Sequence, residues 1–208
     1  MTDVDVTIVG AGIAGAGLAF ALAPHMTVAL LEAEDQPGRH STGRSAAFYA
    51  ETYGGPGVQP LTTASRTFFE TPPPGFCAVP LLSPRGALHV AAETNASAID
   101  ALADDFGATS LMTPIARDEI AAKMPLLSND WCGDGLWEPG CRDIDVAALH
   151  QGYLRGARKA GVRFQSSAAF ESAQRQSSGW RVETATGSLS TSILVNAAGA
   201  WADDVAET

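Results

Sequence analysis

Val4-Asp5-Val6-Thr7-Ile8-Val9-Gly10-Ala11-Gly12-Ile13-Ala14-Gly15 is the stretch on which the fold turns. Its β-branched start reads as a buried strand, and Gly10-x-Gly12-x-x-Gly15 follows at once, opening an apolar helical segment that runs to Ala23. Thr27 to Leu31 reads as a second apolar strand, ending at Glu32. Strand, helix and strand within about thirty residues make a βαβ unit and hence a parallel sheet. Each glycine then has a task. Gly10 permits the tight turn, Gly12 lets a pyrophosphate approach the backbone, and Gly15 lets the helix pack on the strand. The amides opening the helix, around Ile13 and Ala14, point at the anion with the macrodipole behind them. Glu32, about twenty residues downstream, suits the ribose of an adenosine and repels a 2′-phosphate. A dinucleotide site other than one for NADP is expected; the glycines alone do not choose between NAD and FAD.

Composition narrows the function classes. The chain has 208 residues, 46% of them hydrophobic and 17% charged, with a formal charge of −10. That apolar share excludes an intrinsically disordered chain. The negative charge, with no run of lysine or arginine, argues against nucleic acid and anionic membrane as partners. Cys77, Cys132 and Cys141 show no C-x-x-C spacing and read as free thiols of a reducing compartment. His25, His40, His89 and His150 are scattered, so no metal site is expected. Val6 to Leu31 lacks acidic residues, lysine and arginine, but Pro24 and four glycines break it and the residues before it are acidic. It reads as buried strand–helix–strand, with no export or transmembrane segment expected. A cytoplasmic location, at most peripheral at an inner membrane, follows as an expectation.

Further along, helices are expected over Leu61–Glu70, Ala96–Phe106, Arg117–Met124 and Val146–Lys159, the last capped by Asp143 or Asp145 and followed by Gly161. Strands are expected over Ala87–Ala92, Leu136–Glu138, Val162–Phe164, Phe170–Gln174, Trp180–Glu183 and Ile193–Val195. The character of the chain changes near residue 80 and returns near residue 142. A nucleotide-binding domain interrupted by an excursion accounts for that order.

Four further stretches carry a resemblance. Gly38-Arg39-His40-Ser41-Thr42-Gly43-Arg44-Ser45-Ala46-Ala47 looks like a flavin loop, and Asp143-Ile144-Asp145-Val146 through Gly156 like a helix re-entering the cofactor domain. Leu194-Val195-Asn196-Ala197-Ala198-Gly199-Ala200-Trp201-Ala202 resembles a second cofactor turn, and Leu81-Leu82-Ser83-Pro84-Arg85 a substrate-side segment. Together they resemble the FAD-dependent amine and amino-acid oxidoreductases, the D-amino-acid oxidase and dehydrogenase family, and most nearly its bacterial D-arginine dehydrogenase branch. The resemblance implies an α/β fold: a Rossmann-like FAD-binding domain over residues 1–79 and 142–208, interrupted by part of an α+β substrate domain over 80–141. It implies FAD as cofactor, a small amino acid or amine as substrate, and hydride transfer to the flavin giving an imino acid. The electron acceptor, quinone or oxygen, stays open.

By the same resemblance Ser41, Thr42, Arg44, Ser45, Ala46 and Ala47 lie along the flavin and its ribityl chain. Arg44 either neutralises phosphate or caps local carbonyls. Ala198 and Gly199 pass close to the cofactor, and Trp201 packs there. His40 reads as a hydrogen-bonding residue rather than a covalent flavin link. Tyr53 faces the substrate or anchors its loop, and Phe48 stands where the D-arginine branch carries a histidine. That branch has a glutamate where this chain has Ala87. By strand alternation His89 shares the face of Ala87. A pocket of Phe48, Ala87 and His89 is therefore expected to suit a neutral or acidic side chain, since a buried unpaired guanidinium is costly. Family members are longer, so the carboxylate-binding arginine is expected outside this sequence, which reads as truncated. Oxidation of a 2-hydroxy acid or glycerol 3-phosphate, or a non-catalytic FAD-binding fragment, are the alternative readings.

Overall fold

The computed structural model describes residues 3–107, 109–128 and 133–207; Cys132 lies outside the described residues. The chain divides into two compact units. One comprises Met1–Ser45, Pro73–Val79 and Val146–Thr208, and the other Ala46–Pro72 and Pro80–Asp145.

In chain order the elements are β1 (Val4–Val9), α1 (Ile13–Leu22), β2 (Val28–Leu31), β3 (Phe48–Tyr49), α2 (Gln59–Glu70), β4 (Leu82–Pro84) and β5 (Ala87–His89). There follow α3 (Ala96–Phe106), β6 (Thr113–Ile115), α4 (Arg117–Lys123), β7 (Gly135–Glu138), β8 (Arg142–Ile144) and α5 (Val146–Lys159). Last come β9 (Arg163–Gln165), β10 (Phe170–Gln176), β11 (Gly179–Thr184), β12 (Gly187–Asn196) and α6 (Ala202–Ala206).

The first unit is a mixed α/β layer structure around one sheet, ordered β10-β11-β12-β1-β2-β9. Strands β12, β1, β2 and β9 run parallel, while β10, β11 and β12 form an antiparallel meander. Alternation along β1 divides its side chains between two cores. Val6 and Ile8 pack with Ala16 and Ala19 of α1 and Leu154 and Ala157 of α5. Val9 joins Leu31, Ala168 and Val182 on the opposite face. A strand buried on both faces explains the near-continuous apolar run that opens the sequence. Helices α1 and α5 approach closely because Gly156 leaves room for the Phe20 ring. The Phe76 ring fills the space over Gly152 and meets Phe20 and Tyr153 edge to face. Arg155 donates to the Phe76 carbonyl (2.6 Å), fastening the short Pro73–Val79 segment to α5. Among the described residues no helix is long and apolar enough to cross a membrane.

The second unit holds two small antiparallel sheets, β3-β8-β4 and β5-β7-β6. Gly86 has φ +74°, and its missing side chain makes way for the Trp137 ring, with Lys123 4.2 Å from that ring's centre.

The long helices run as expected, α3 and α5 to the residue. Asp143 lies within β8, so Asp145 is the residue immediately before α5. Four strands were not read from the sequence: β3, β4, β6 and β8 are two or three residues long, too short for a period, and Pro84 and Pro114 sit in two of them. The strand expected over Ala87–Ala92 stops at His89, and the last strand starts at Gly187, six residues before Ile193, because its serine-rich first half carries little apolar signal.

Candidate cofactor site

β1 ends at Val9, flanked by the parallel strands β2 and β12. In open α/β sheets ligands bind outside the carboxyl ends of the strands. A cavity of about 540 Å³ opens there, lined by Gly10, Gly12, Glu32, Ser41, Thr42, Ala198, Gly199 and Trp201 with their neighbours. Its volume falls in the range of ordinary ligand sites.

The floor of this cavity is bare backbone. Gly10 has φ +101°, and a Cβ there would overlap the Ala197 carbonyl. A Cβ on Gly15 would overlap the Gly10 carbonyl, so only glycine lets α1 seat against the turn. Gly12 is the N-cap residue of α1 and has no side chain to cap with. Thr42 substitutes: its Oγ1 accepts from the Ile13 amide (2.9 Å). The amides of Gly12 and Ala14 have no acceptor among the described residues. Unpaired amides at a helix start over glycine backbone are the donor set of a diphosphate. Beside them Val9, Leu31, Ala168 and Phe170 give the cavity apolar wall. The residues present therefore fit a dinucleotide.

Glu32 is occupied on both oxygens by backbone, accepting from Ala11 N–H (3.1 Å) and Glu34 N–H (3.0 Å). A carboxylate has about four lone-pair sites, so acceptor capacity for ribose hydroxyls remains. Glu34 accepts in turn from His40 Nε2 (2.8 Å) and Arg39 (3.2 Å). The His40 bond holds the Glu34 carboxyl below its ordinary value; desolvation opposes this and Arg39 adds to it. The His40 ring lies 4.6 Å from that of Trp201, so a hydrogen-bonded histidine and a packed tryptophan meet at the cavity wall. Arg44 donates Nε to the Arg39 carbonyl (3.2 Å), and Ser45 donates to the Ser41 carbonyl (2.5 Å). Ala46 and Ala47 belong to the second unit, where the Ala47 carbonyl accepts from the Ile144 amide (3.0 Å).

Sequence reasoning missed the Ala168–Glu171 stretch of the wall, which carries no motif. It also missed His150, buried in α5, whose Nε2 lies 2.8 Å from the Ala11 carbonyl.

In the second unit Phe48 and Tyr53 form an edge-to-face pair at 5.8 Å, both exposed, with Arg85 5.1 Å above the Phe48 ring. Ala87 and His89 share a face of β5, as alternation requires. The register sets Ala87 opposite Glu138 of β7 and thereby brings in a carboxylate that the sequence reading did not find. Only the pairing of β5 with β7 reveals it. Glu138 is buried, its Oε2 accepting from Thr52 (2.7 Å) and bonded to His89 Nε2 (3.1 Å). Burial opposes its ionisation, yet the His89 and Thr52 bonds prevail and hold its carboxyl below the ordinary value. Thr52 neighbours Tyr53, so this carboxylate ties the Tyr53 loop to the strand bearing His89.

The family model for FAD dependent oxidoreductases (DAO) matches residues 5–208. The chain belongs to that family. Mitochondrial dimethylglycine dehydrogenase of Homo sapiens is 38% identical over 92 residues, which is 44% of this chain and 11% of that protein. Among solved structures, glycine oxidase from Geobacillus kaustophilus superposes with TM-score 0.86 at 21% identity, over 100% of this chain and 58% of that one. L-Proline dehydrogenase from P. horikoshii gives 0.83 at 18%, over 98% and 55%. At those identities the likeness is one of fold. The chain spans little more than half of either solved enzyme and about a tenth of the human dehydrogenase. The DAO family is FAD dependent, which decides between the two dinucleotides that the glycines left open.

Proposed function

We propose that the protein takes part in FAD-dependent oxidation of an amino acid or related amine, with D-amino acids as the leading substrate class. The observation that carries this reading is the backbone-floored cavity at the end of β1 in a chain of the DAO family. The relatives named above are called after glycine, dimethylglycine and proline, which supports an amine substrate.

Bound FAD would supply the acceptor for the hydride that leaves the substrate α-carbon. The chain's own residues bind and aim it. Gly12 and Ala14 offer amides to the diphosphate, Glu32 has lone pairs for the ribose, and Ser41, Thr42, Ala198, Gly199 and Trp201 form the wall. Ser45, Ala46 and Ala47 continue the loop toward the flavin end, and residues 1–79 and 142–208 are assigned to the cofactor. Residues 80–141 are assigned to the substrate. Tyr53, from the Ala46–Pro72 segment that belongs to the same unit, is the candidate hydrogen-bonding group, and Phe48, Ala87 and His89 border the side chain. Glu138 is only 2% exposed, its Oε2 turned to His89 and Thr52, so burial keeps it from a substrate guanidinium. A neutral side chain is therefore favoured over D-arginine.

Anaerobic mixing of the FAD-loaded protein with paired D- and L-amino acids tests this through bleaching of the flavin band. D-Alanine and D-phenylalanine should bleach it faster than D-arginine and faster than their L-forms. Bleaching by a 2-hydroxy acid or glycerol 3-phosphate alone would sink the amine reading.

A further inference from the structure

Among the described residues His150 is the one buried histidine, 4% exposed, and nothing in the redox chemistry asks for it. It lies on α5, yet its Nε2 reaches the Ala11 carbonyl at 2.8 Å, inside the Gly10–Gly15 turn. A carbonyl only accepts, so the proton sits on Nε2. Ala11 is thus held at both backbone groups: its N–H by Glu32 (3.1 Å) and its C=O by His150. The other side of the imidazole supports the second cofactor loop. A Cβ on Gly38 would stand 2.8 Å from the His150 Cε1, so this glycine, at φ +79°, lies against the ring. Gly38 begins the loop whose Thr42 caps Ile13. One buried side chain therefore braces both loops that meet at the diphosphate amides.

We propose that His150 is a positioning residue for the cofactor. Its hydrogen bond to Ala11 sets the direction in which the Gly12 and Ala14 amides point, and its ring fixes the height of the Gly38–Thr42 loop above them. The ligand moiety it serves is the diphosphate, through the turn and without touching it. This inference rests on the dinucleotide reading of the cavity and is independent of which substrate is oxidised.

The test compares His150→Leu, which keeps bulk and removes the donor, with His150→Gln, whose side-chain amide can still donate. Binding of FAD, ADP and adenosine is measured by titration calorimetry, with near-ultraviolet circular dichroism as the fold control. The Leu variant should weaken FAD and ADP by about tenfold, the scale of one lost hydrogen bond to an aligned turn, and leave adenosine unchanged. The Gln variant should recover most of that loss. Unchanged ADP affinity in the Leu variant, equal weakening of adenosine, or a folded Gln variant that recovers nothing would each overturn the proposal. Should the Leu variant not fold, ¹⁵N imidazole spectra of the unmodified protein decide: His150 should be protonated at Nε2, and an Nδ1–H tautomer would refute the bond to Ala11. Weakened FAD binding in the Leu variant beside a wild type that no amino acid reduces would break the substrate reading alone.

Discussion

The cofactor cavity of the first unit and the Glu138 cluster of the second are built from opposite materials. The cavity floor is backbone: glycines that exclude a Cβ, amides without acceptors among the described residues, and a carboxylate, Glu32, holding two neighbouring N–H groups. The Glu138 cluster is side chain throughout, a threonine and a histidine from distant segments meeting one carboxylate. Backbone sites tolerate no added atom where chain meets chain, whereas side-chain sites tolerate no lost partner. Substitution in each direction probes the contrast.

The largest effect is expected at Gly15. Gly15→Val drives its Cβ into the Gly10 carbonyl, and overpacking against rigid backbone should cost about 3 kcal/mol and abolish FAD uptake. Retained flavin in the purified variant would break the claim that α1 must seat this closely. Glu138→Ala comes next. It leaves His89 and Thr52 without their shared acceptor and should lower stability by about 2 kcal/mol in denaturant titrations at neutral pH. The same pair gives a pH signature. The folded Glu138 carboxyl titrates below the ordinary glutamate value, so its contribution is present above that ordinary value and is lost as pH falls through the folded pKa. Wild type should therefore lose stability as pH falls below the ordinary carboxylate range (about 4) more steeply than Glu138→Gln; parallel curves would remove the cluster from the argument.

Thr42→Val sharpens the comparison on the cavity side, since it deletes the one side-chain oxygen that caps α1. A loss of about 1 kcal/mol and a several-fold rise in the FAD Kd are expected. Arg44→Ala should do least, within about 0.5 kcal/mol, because its guanidinium donates to an exposed local carbonyl. A large fall in FAD affinity would instead return Arg44 to the phosphate.

This contrast also explains what could be read in advance. Gly10, Gly12, Gly15 and Glu32 follow a spacing that backbone geometry imposes, so the βαβ unit and the dinucleotide site are visible in one dimension. The periodicity of α5 was equally plain, down to its last residue. Glu138 was not, because its meaning comes from lying opposite Ala87 in a ladder of three residue pairs. Nor was the role of His150: it falls in the stretch that resembles a re-entering helix, but only the approach of α5 to the turn gives it a partner. The short strands β3 and β8, which pair Phe48 with Asp143, fell below any pattern length.

The central strand has a consequence for how the molecule is made. Among the described residues β1 comes earliest in the chain, yet one of its two neighbours is β12, with Val9 set against Asn196. Until the chain has been extended past that point, β1 has one bare margin and Gly10 lacks the Ala197 carbonyl that it fits against. Assembly of this sheet is thus a late, long-range event, slow by the measure of sequence separation. A nascent chain holding the whole glycine motif would still have nowhere to put a dinucleotide.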